Sequence, residues 1–95
     1  MVDETSRSYE LVVAGPAARA ISERLPEAVA VAVIDLITGP LLADPHRLGH
    51  PITRELKGIW SARRGTFRVL YRIDEAKREV TVLRVDHRGD AYRPR

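Results

Sequence analysis

Arginine dominates the part of this sequence that could do chemistry. Of the 16 basic residues only Lys57 and Lys77 are lysine, and residues 48–95 carry twelve basic and six acidic side chains. That half has a net charge of +6, whereas residues 1–47, with four basic and seven acidic side chains, have a net charge of −3. A planar guanidinium group binds phosphate through two parallel hydrogen bonds and stacks on nucleobases. The asymmetry predicts an anionic partner for the second half.

Several of these cationic side chains are expected to converge. Apolar and polar residues alternate over residues 67–73, which places Arg68 on the polar face of a predicted strand. Arg63 lies across a predicted turn from Arg68, and the end of the last predicted strand brings His87 and Arg88 close to both. Together they would line one concavity. The alternative is that the arginines only keep a strand face solvated.

Four strands and two helices are predicted from the sequence, and they would position these residues. The strands are rich in β-branched and aromatic residues, and the apolar residues of the helices recur every three to four positions. Gly15-Pro16 separates the first strand from the first helix, and Pro26 divides the two helices. The predicted strands are Tyr9–Val13, Ile59–Arg63, Phe67–Ile73 and Val80–His87, and the predicted helices are Ala17–Leu25 and Glu27–Ile37. The apolar helix faces are expected to carry Ala17, Ala18, Ile21 and Leu25, and Ala30, Val33, Ile34 and Ile37.

These elements predict an α+β fold in a single domain over residues 1–95. Residues 44–51 hold two prolines, a glycine and two histidines and are expected to form a loop. Short turns at residues 64–65 and 74–78 require antiparallel pairing of the last three strands. The expected order is β-α-α-β-β-β, with a helical hairpin packed on one face of an antiparallel sheet and the other face left for function. The polar residues 1–8 are expected to be flexible.

Composition excludes several classes of protein. Cysteine is absent, so disulfides, thiol catalysis and Cys-based zinc sites are excluded. No run of about 18 apolar residues is present, and the first residues do not resemble a secretory signal, so a cytoplasmic location is expected. His46 and His50 are four residues apart, but no convincing set of ligands accompanies them. Neither a metal site nor a cofactor is therefore expected.

Three runs of the sequence resemble the RelE-type toxins of the RelE/ParE toxin–antitoxin superfamily. The central run is Leu56–Ile73, LKGIWSARRGTFRVLYRI. It is preceded by Asp44–Pro51, DPHRLGHP, and followed by Val85–Tyr92, VDHRGDAY. In order and spacing the likeness extends from Tyr9 to Tyr92.

The resemblance implies a ribosome-dependent endoribonuclease that cleaves messenger RNA in the decoding site without a metal ion. The 2′-hydroxyl of the RNA would attack the adjacent phosphate. Some ribonuclease members carry lysine where this chain has Ile59 and Ser61. By matching motifs, the implied catalytic residues are Arg63, Arg68, Arg88 and Tyr92, and the implied RNA-binding residues are Lys57, Arg64, Arg72 and His87.

The chemistry of that reaction accounts for these residue types. A pentacoordinate phosphorane gains negative charge, so fixed guanidinium groups would lower the barrier. Tyr92 would act as a base only if nearby positive charges lower its pKa from about 10; otherwise its ring stacks on a base or packs over the sheet edge. His87 is a candidate to protonate the leaving 5′-oxygen. Trp60 lies on the opposite side of its strand from Arg63 and is expected to contact the core or a helix rather than RNA.

The implied partners are a cognate antitoxin, the ribosome and messenger RNA, with operator DNA reached only through the antitoxin and no membrane involved. A disordered antitoxin segment that folds on binding could cover the arginine-rich face. Two other functions remain open: a ParE-like toxin that binds DNA gyrase, and an inactive module that only binds an antitoxin. ParE-like toxins generally lack the arginine–tyrosine set, which favours the ribonuclease.

Overall fold

The computed structural model describes residues 8–52 and 58–87, in which the helices lie between the first and second strands. A π-helical turn, Ala20–Arg24, continues the first helix. The strands are β1 Glu10–Val13, β2 His50–Ile52, β3 Ile59–Arg64, β4 Phe67–Asp74 and β5 Glu79–His87. The helices are α1 Gly15–Arg19, α2 Glu27–Thr38, α3 Pro40–Ala43 and α4 Pro45–Leu48. The predicted α+β class is confirmed.

The five strands form one mixed sheet in the order β1-β5-β4-β3-β2. Strands β3, β4 and β5 pair antiparallel with one another, as the short turns predicted, and β2 is antiparallel to β3. β1 instead runs parallel to β5, with Leu11 opposite Val80. A parallel pair cannot be closed by a tight turn, and here the helices and three other strands intervene. The prediction of a purely antiparallel sheet is wrong at this edge because local patterns do not report the pairing of distant strands.

Two turns organise the antiparallel part of the sheet. The two residues between β3 and β4 begin with Gly65, whose φ of 56° fits the first position of a type II′ turn. The four residues between β4 and β5 end with Arg78, whose φ is 53°. In that turn the Lys77 N–H donates a hydrogen bond to Asp74 Oδ1 over 3.1 Å. Both predicted turns are confirmed.

The helices cover one face of the sheet. Pro16 occupies the first turn of α1, and α2 begins after Pro26. The buried residues of α2 are Val33, Leu36 and Ile37, whereas Ile34 is 42% exposed. The predicted apolar face of α2 is therefore rotated, with Leu36 taking the place of Ile34. In the first helix Ala17 and Ala20 are buried and the expected Ala18 is exposed.

Residues 44–51, predicted to be a loop, contain α4 and the beginning of β2. The hydroxyl of the buried Tyr71 donates a 2.7 Å hydrogen bond to the carbonyl oxygen of Pro45, which fastens α4 to the sheet. Burial raises the pKa of Tyr71 to about 12. A Cβ atom on Gly49 would collide with the Ser61 carbonyl oxygen and the Tyr71 hydroxyl, so only glycine fits there. These tertiary contacts override a composition that is typical of loops.

Candidate functional site

The sheet surface opposite the helices, here named the open face, carries most of the arginines that the sequence singled out. On β4, Val69 and Tyr71 are buried against the helices, whereas Arg68 and Arg72 are exposed on the other side. The strand's alternation of apolar and charged residues produces this separation. The open face comprises Ile59, Ser61 and Arg63 of β3, Arg68, Leu70 and Arg72 of β4, and Thr81, Arg84 and Asp86 of β5.

Arg63 and Arg68 lie directly opposite each other on β3 and β4. Side chains at such positions share a face, with Cβ atoms about 4.5–5.5 Å apart, and like charges there destabilise the strand pair. Neither guanidinium makes a hydrogen bond or an ion pair with another described residue. The expectation that these two arginines meet is confirmed. They present a concentrated positive charge that is suited to binding an anion.

Asp86 is the neighbour of Arg68 on the other side, opposite it on β5. Its carboxylate is held by Arg84, two residues earlier on the same strand. Arg84 Nε donates to Oδ1 over 2.9 Å, and the terminal nitrogen Nη2 donates to Oδ2 over 3.1 Å. This pairing raises the pKa of Arg84. Sequence analysis missed the pair, although opposite charges at i and i+2 on a strand were a usable signal.

A β-bulge in β5 brings Arg84 and Asp86 to the open face. Leu70 is opposite Arg84, but the next residue of β4, Tyr71, is opposite Val82, so Leu83 is an extra residue. Without it, the alternation set by the buried Val82 would turn Arg84 and Asp86 towards the helices. A bulge commonly re-aims side chains in this way. It places Asp86 beside Arg68.

The other predicted site residues are divided between locations. Arg72 shares the open face but lies four residues along β4 from Arg68, about 13 Å away at the usual strand rise. Arg64 and His87 are both opposite Phe67, so they lie on the helix side at the end of the sheet. The structure therefore does not bring His87 into the Arg63–Arg68 pair. Lys57, Arg88 and Tyr92 lie outside the described residues.

A second polar cluster lies at the far end of the sheet from Arg68. The Tyr9 hydroxyl donates to both oxygens of Glu75, over 3.0 and 3.1 Å, and His46 Nε2 is 2.8 Å from Glu75 Oε2. Burial, followed by the hydrogen bond to Glu75, raises the pKa of Tyr9. The guanidinium of Arg78 lies 4.2 Å from the centre of the Tyr9 ring. These contacts join β1, α4 and the β4–β5 turn.

Trp60 extends this cluster into the core. Its ring meets His46 edge-on at 5.2 Å between centroids and stacks on Tyr71 at 6.3 Å. The prediction that Trp60 contacts the core or a helix is confirmed.

Among residues 8–52 and 58–87, no three His, Asp or Glu side chains are grouped so that they could hold a metal ion. Within the same ranges, none of the helices has the length and apolar character needed to cross a membrane.

Comparison with known proteins defines the family. A family model described as the ParE toxin of the type II toxin–antitoxin system parDE matches residues 11–92. The chain belongs to the RelE/ParE family of type II toxins. This toxin chain is 42% identical over 85 residues to Toxin RelE of Mycobacterium tuberculosis, covering 90% of the chain and 87% of that relative. It is 50% identical over 76 residues to Toxin RelG of the same organism, covering 80% and 87%.

Solved structures agree with this assignment. The RelE/ParE toxin fold described above matches the toxin–antitoxin complex RelBE2 of M. tuberculosis with a TM-score of 0.82 and 44% identity, over 85% of this chain and 99% of that chain. It also matches the isolated Escherichia coli RelE toxin with a TM-score of 0.68, over 84% of each chain. At 18% identity, the second match shows the fold alone. The resemblance noted in the sequence is thereby confirmed.

Proposed function

We propose that this toxin is a ribosome-dependent endoribonuclease that cleaves messenger RNA and so inhibits translation. The observation that carries the proposal is the Arg63–Arg68 pair on the exposed open face, with no counter-ion among the described residues. Two like charges held side by side cost stability, which an RNA phosphate bound between them would recover. The relatives named RelE and RelG support the same function.

The proposed reaction uses the RNA's own nucleophile. The 2′-oxygen attacks the adjacent phosphorus, the bond from phosphorus to the 5′-oxygen breaks, and the products carry a 2′,3′-cyclic phosphate and a 5′-hydroxyl. Arg63, Arg68 and Arg88 would stabilise the charge that develops on the phosphorane, so the chain need not supply a metal ion. Tyr92 would accept the 2′-hydroxyl proton or stack on a base, and the leaving oxygen takes up a proton.

The supporting RNA contacts would come from the surroundings of the arginine pair. Arg72 extends the positive charge of the open face, Lys57 precedes β3 in the sequence, and Arg64 is the last residue of β3. His87 faces the helix side with Phe67, which argues against proton donation at the Arg63–Arg68 pair. β3 itself carries no charge before Arg63, since Ile59 and Ser61 occupy its open-face positions. Catalysis would therefore rest on the arginines.

A cognate antitoxin is the proposed protein partner. Solved relatives include the RelBE2 toxin–antitoxin complex and the intact E. coli RelBE complex. An acidic segment that folds over the open face would neutralise Arg63 and Arg68 and block access of RNA. The toxin would meet the ribosome and its message only after the antitoxin is removed.

The proposal is tested by adding the full chain to purified ribosomes programmed with a defined message and sequencing the cut ends. We expect an upstream 2′,3′-cyclic phosphate, or the 3′-phosphate formed from it, and a downstream 5′-hydroxyl. A single 2′-deoxynucleotide at the scissile position should abolish the cut. A 5′-phosphate end, or undiminished cutting of the deoxy-substituted message, would contradict 2′-oxygen attack.

Gyrase binding is the second candidate, because the matching family model is described as a ParE toxin. The names of the two closely similar relatives favour the ribonuclease. A supercoiling assay with purified gyrase distinguishes the two functions. Inhibition of gyrase by the chain, together with an intact message on the ribosome, would establish the second candidate in place of the first.

A further inference from the structure

The carboxylate of Asp86 has two arginine neighbours on the open face and pairs with only one of them. Arg68 lies directly opposite it on β4, while Arg84 lies two residues away on the same strand. Both oxygens are bound by Arg84, through hydrogen bonds of 2.9 and 3.1 Å. Arg68 makes no ion pair with any residue of the described ranges. Because Asp86 pairs with Arg84, Arg68 is the arginine that stays available to bind another anion.

We propose that Arg84 is a positioning residue, which occupies both oxygens of Asp86 and thereby leaves the guanidinium of Arg68 free to bind RNA phosphate. A carboxylate directly opposite an arginine on antiparallel strands is a favourable ion pair, so Asp86 would otherwise compete with the substrate for Arg68. A bidentate carboxylate–guanidinium pair is stronger than a single hydrogen bond. It therefore keeps the Asp86 carboxylate on Arg84 and away from Arg68.

The contribution of the Arg84–Asp86 pair to folding stability does not explain why both residues lie on the open face. The Arg84 side chain is 61% exposed and that of Asp86 is 23% exposed, and ion pairs near the surface contribute little to folding. The bulge at Leu83 nevertheless turns both residues towards the arginine pair. Asp86 is next to both arginines, since Arg68 is opposite it and Arg84 is two residues away on its own strand. The arrangement is explained if Arg68 must stay unpaired beside a carboxylate.

This inference rests on the proposed ribonuclease function, and a set of variants tests it. Arg84→Gln releases the carboxylate, so the cutting rate on programmed ribosomes should fall about fivefold, the competition expected from an exposed ion pair. Adding Asp86→Asn removes the competitor and should restore the rate to within twofold of the original chain. Arg84→Lys should give an intermediate rate, since a lysine cannot grip both oxygens in one plane.

Two controls separate this effect from general changes in charge. Arg24→Gln removes one positive charge from the helix side and should leave the rate unchanged. Glu10→Gln removes one negative charge from β1 and should not rescue Arg84→Gln, because Glu10 lies opposite Glu79 rather than Arg68. The cutting rate should recover when Asp86→Asn is added to Arg84→Gln but not when Glu10→Gln is added. A merely structural role for Arg84 would not produce that result.

A crystal structure of Arg84→Gln supplies a measurement that does not depend on cutting. We expect the Arg68 guanidinium to move to within about 4 Å of the Asp86 carboxylate. An unmoved Arg68, an unchanged cutting rate in Arg84→Gln, or a double variant as slow as Arg84→Gln would overturn the inference. If the original chain cuts no message, the proposed function fails, whereas the crystal structure still decides whether Arg84 keeps Arg68 unpaired.

Discussion

Arg63 and Arg68 are an unfavourable pair when the protein is considered without its partners. They face each other on two neighbouring strands, and the carboxylate that the described sheet places beside them, that of Asp86, is bound to Arg84. Such repulsion at a surface is small compared with the stability of a domain, so the fold tolerates it. Binding of an anion removes it. The unbound pair is therefore suited to binding an anion such as phosphate.

Replacing Arg68 by alanine should separate function from stability. We expect cutting to fall about 100-fold or more, the usual effect of losing one donor to a developing charge. The free energy of unfolding should change by no more than about 0.5 kcal/mol, since the side chain is exposed and its loss relieves repulsion from Arg63. Arg68→Lys should also cut poorly.

The measurements for Arg68 are single-turnover cutting on programmed ribosomes and urea-induced unfolding. Arg47→Ala, on the helix side in α4, is the matched control and should keep full activity. A fall of several degrees in melting temperature for Arg68→Ala would instead give this arginine a structural role.

Tyr71 should make stability depend on alkaline pH. Its pKa is raised to about 12, above the ordinary value of 10.0, so the folded state favours the neutral phenol. The resulting stabilisation is complete below about pH 10 and is lost as pH rises towards 12, by roughly 2–3 kcal/mol. Tyr71→Phe removes this dependence and, through the lost hydrogen bond to Pro45, costs about 1–2 kcal/mol at neutral pH.

Urea unfolding of the original chain and of Tyr71→Phe at pH 8 and pH 11 tests this expectation. Tyr9→Phe is the comparison, because the pKa of Tyr9 is also raised but its hydroxyl binds Glu75 instead of the Pro45 carbonyl oxygen. Equal losses of stability with pH in the original chain and in Tyr71→Phe would show that Tyr71 is not responsible.

For single residues, the Arg63–Arg68 pair was predictable from the sequence, whereas the positions of the residues around it were not. The alternation along β4 and the short turn after β3 were sufficient to bring Arg63 and Arg68 together. The bulge at Leu83 has no comparable sequence signal, because a strand with one extra residue keeps its β-rich composition. The face that Arg84 and Asp86 occupy and the orientation of His87 depend on this bulge, so simple alternation could not place them.

At the scale of elements, the junction of α4 with β2 and β3 supports the half of the sheet that contains Arg63. Tyr71 reaches from β4 to the Pro45 carbonyl, and Trp60 of β3 packs between His46 and Tyr71. Gly49 lets the backbone pass directly over Ser61. These contacts fix β2 and α4 to the sheet although both elements are short.

Gly49→Ala should therefore be strongly destabilising. The added methyl group meets a backbone carbonyl and a buried hydroxyl, neither of which can move freely, so we expect a loss of about 1–3 kcal/mol or more. For a domain of this size each kcal/mol lowers the melting temperature by roughly 4–8 °C. Thermal unfolding followed by circular dichroism measures the change.

Gly15→Ala provides the matched control for Gly49→Ala. Gly15 begins α1, and its added methyl group would meet only the flexible end of Arg19 at ordinary contact distance. Its melting temperature should stay the same or rise slightly, because alanine favours a helix. Equal melting temperatures for the two alanine variants would mean that the junction is not tightly packed.

The elements themselves were predictable where their patterns are local. The meander strands, their turns and α2 follow from alternation, glycine positions and helical spacing. α4 and β2 were missed because proline, glycine and histidine are typical of loops, and their structure depends on Tyr71 and β3. The parallel pairing of β1 was also beyond local patterns, since its partner lies about 70 residues away.

Over the entire protein, the two halves of the sequence differ in net charge and contain different elements of the fold. The half of the sequence with a net charge of −3 includes β1 and the helices, and the half with +6 includes β3 to β5. For the proposed RNA target, the positive second half would attract the phosphate backbone, and the negative first half would disfavour binding in the reverse orientation. The molecule should therefore approach a phosphate-rich target with its open face first.

Expression of the full chain alone in a bacterium should stop growth, because cleaved messages cannot be translated. Co-expression of the cognate antitoxin should restore growth. The Arg68→Ala variant at the same protein level is the control and should be tolerated. Normal growth with abundant, folded original chain would favour the inactive antitoxin-binding module over the toxin.

The parallel pairing of β1 with β5 has a consequence for biosynthesis. β1 is made first, yet within the described sheet its only neighbour is β5, the last strand to be made. Arg68 lies on the strand that β5 must flank before the open face is complete. Domains acquire stable structure only when their distant segments have emerged from the ribosome. The order of translation therefore delays assembly of the open face until nearly the whole described chain has been synthesised. If the proposed function is correct, this delay would protect the ribosome that makes the chain.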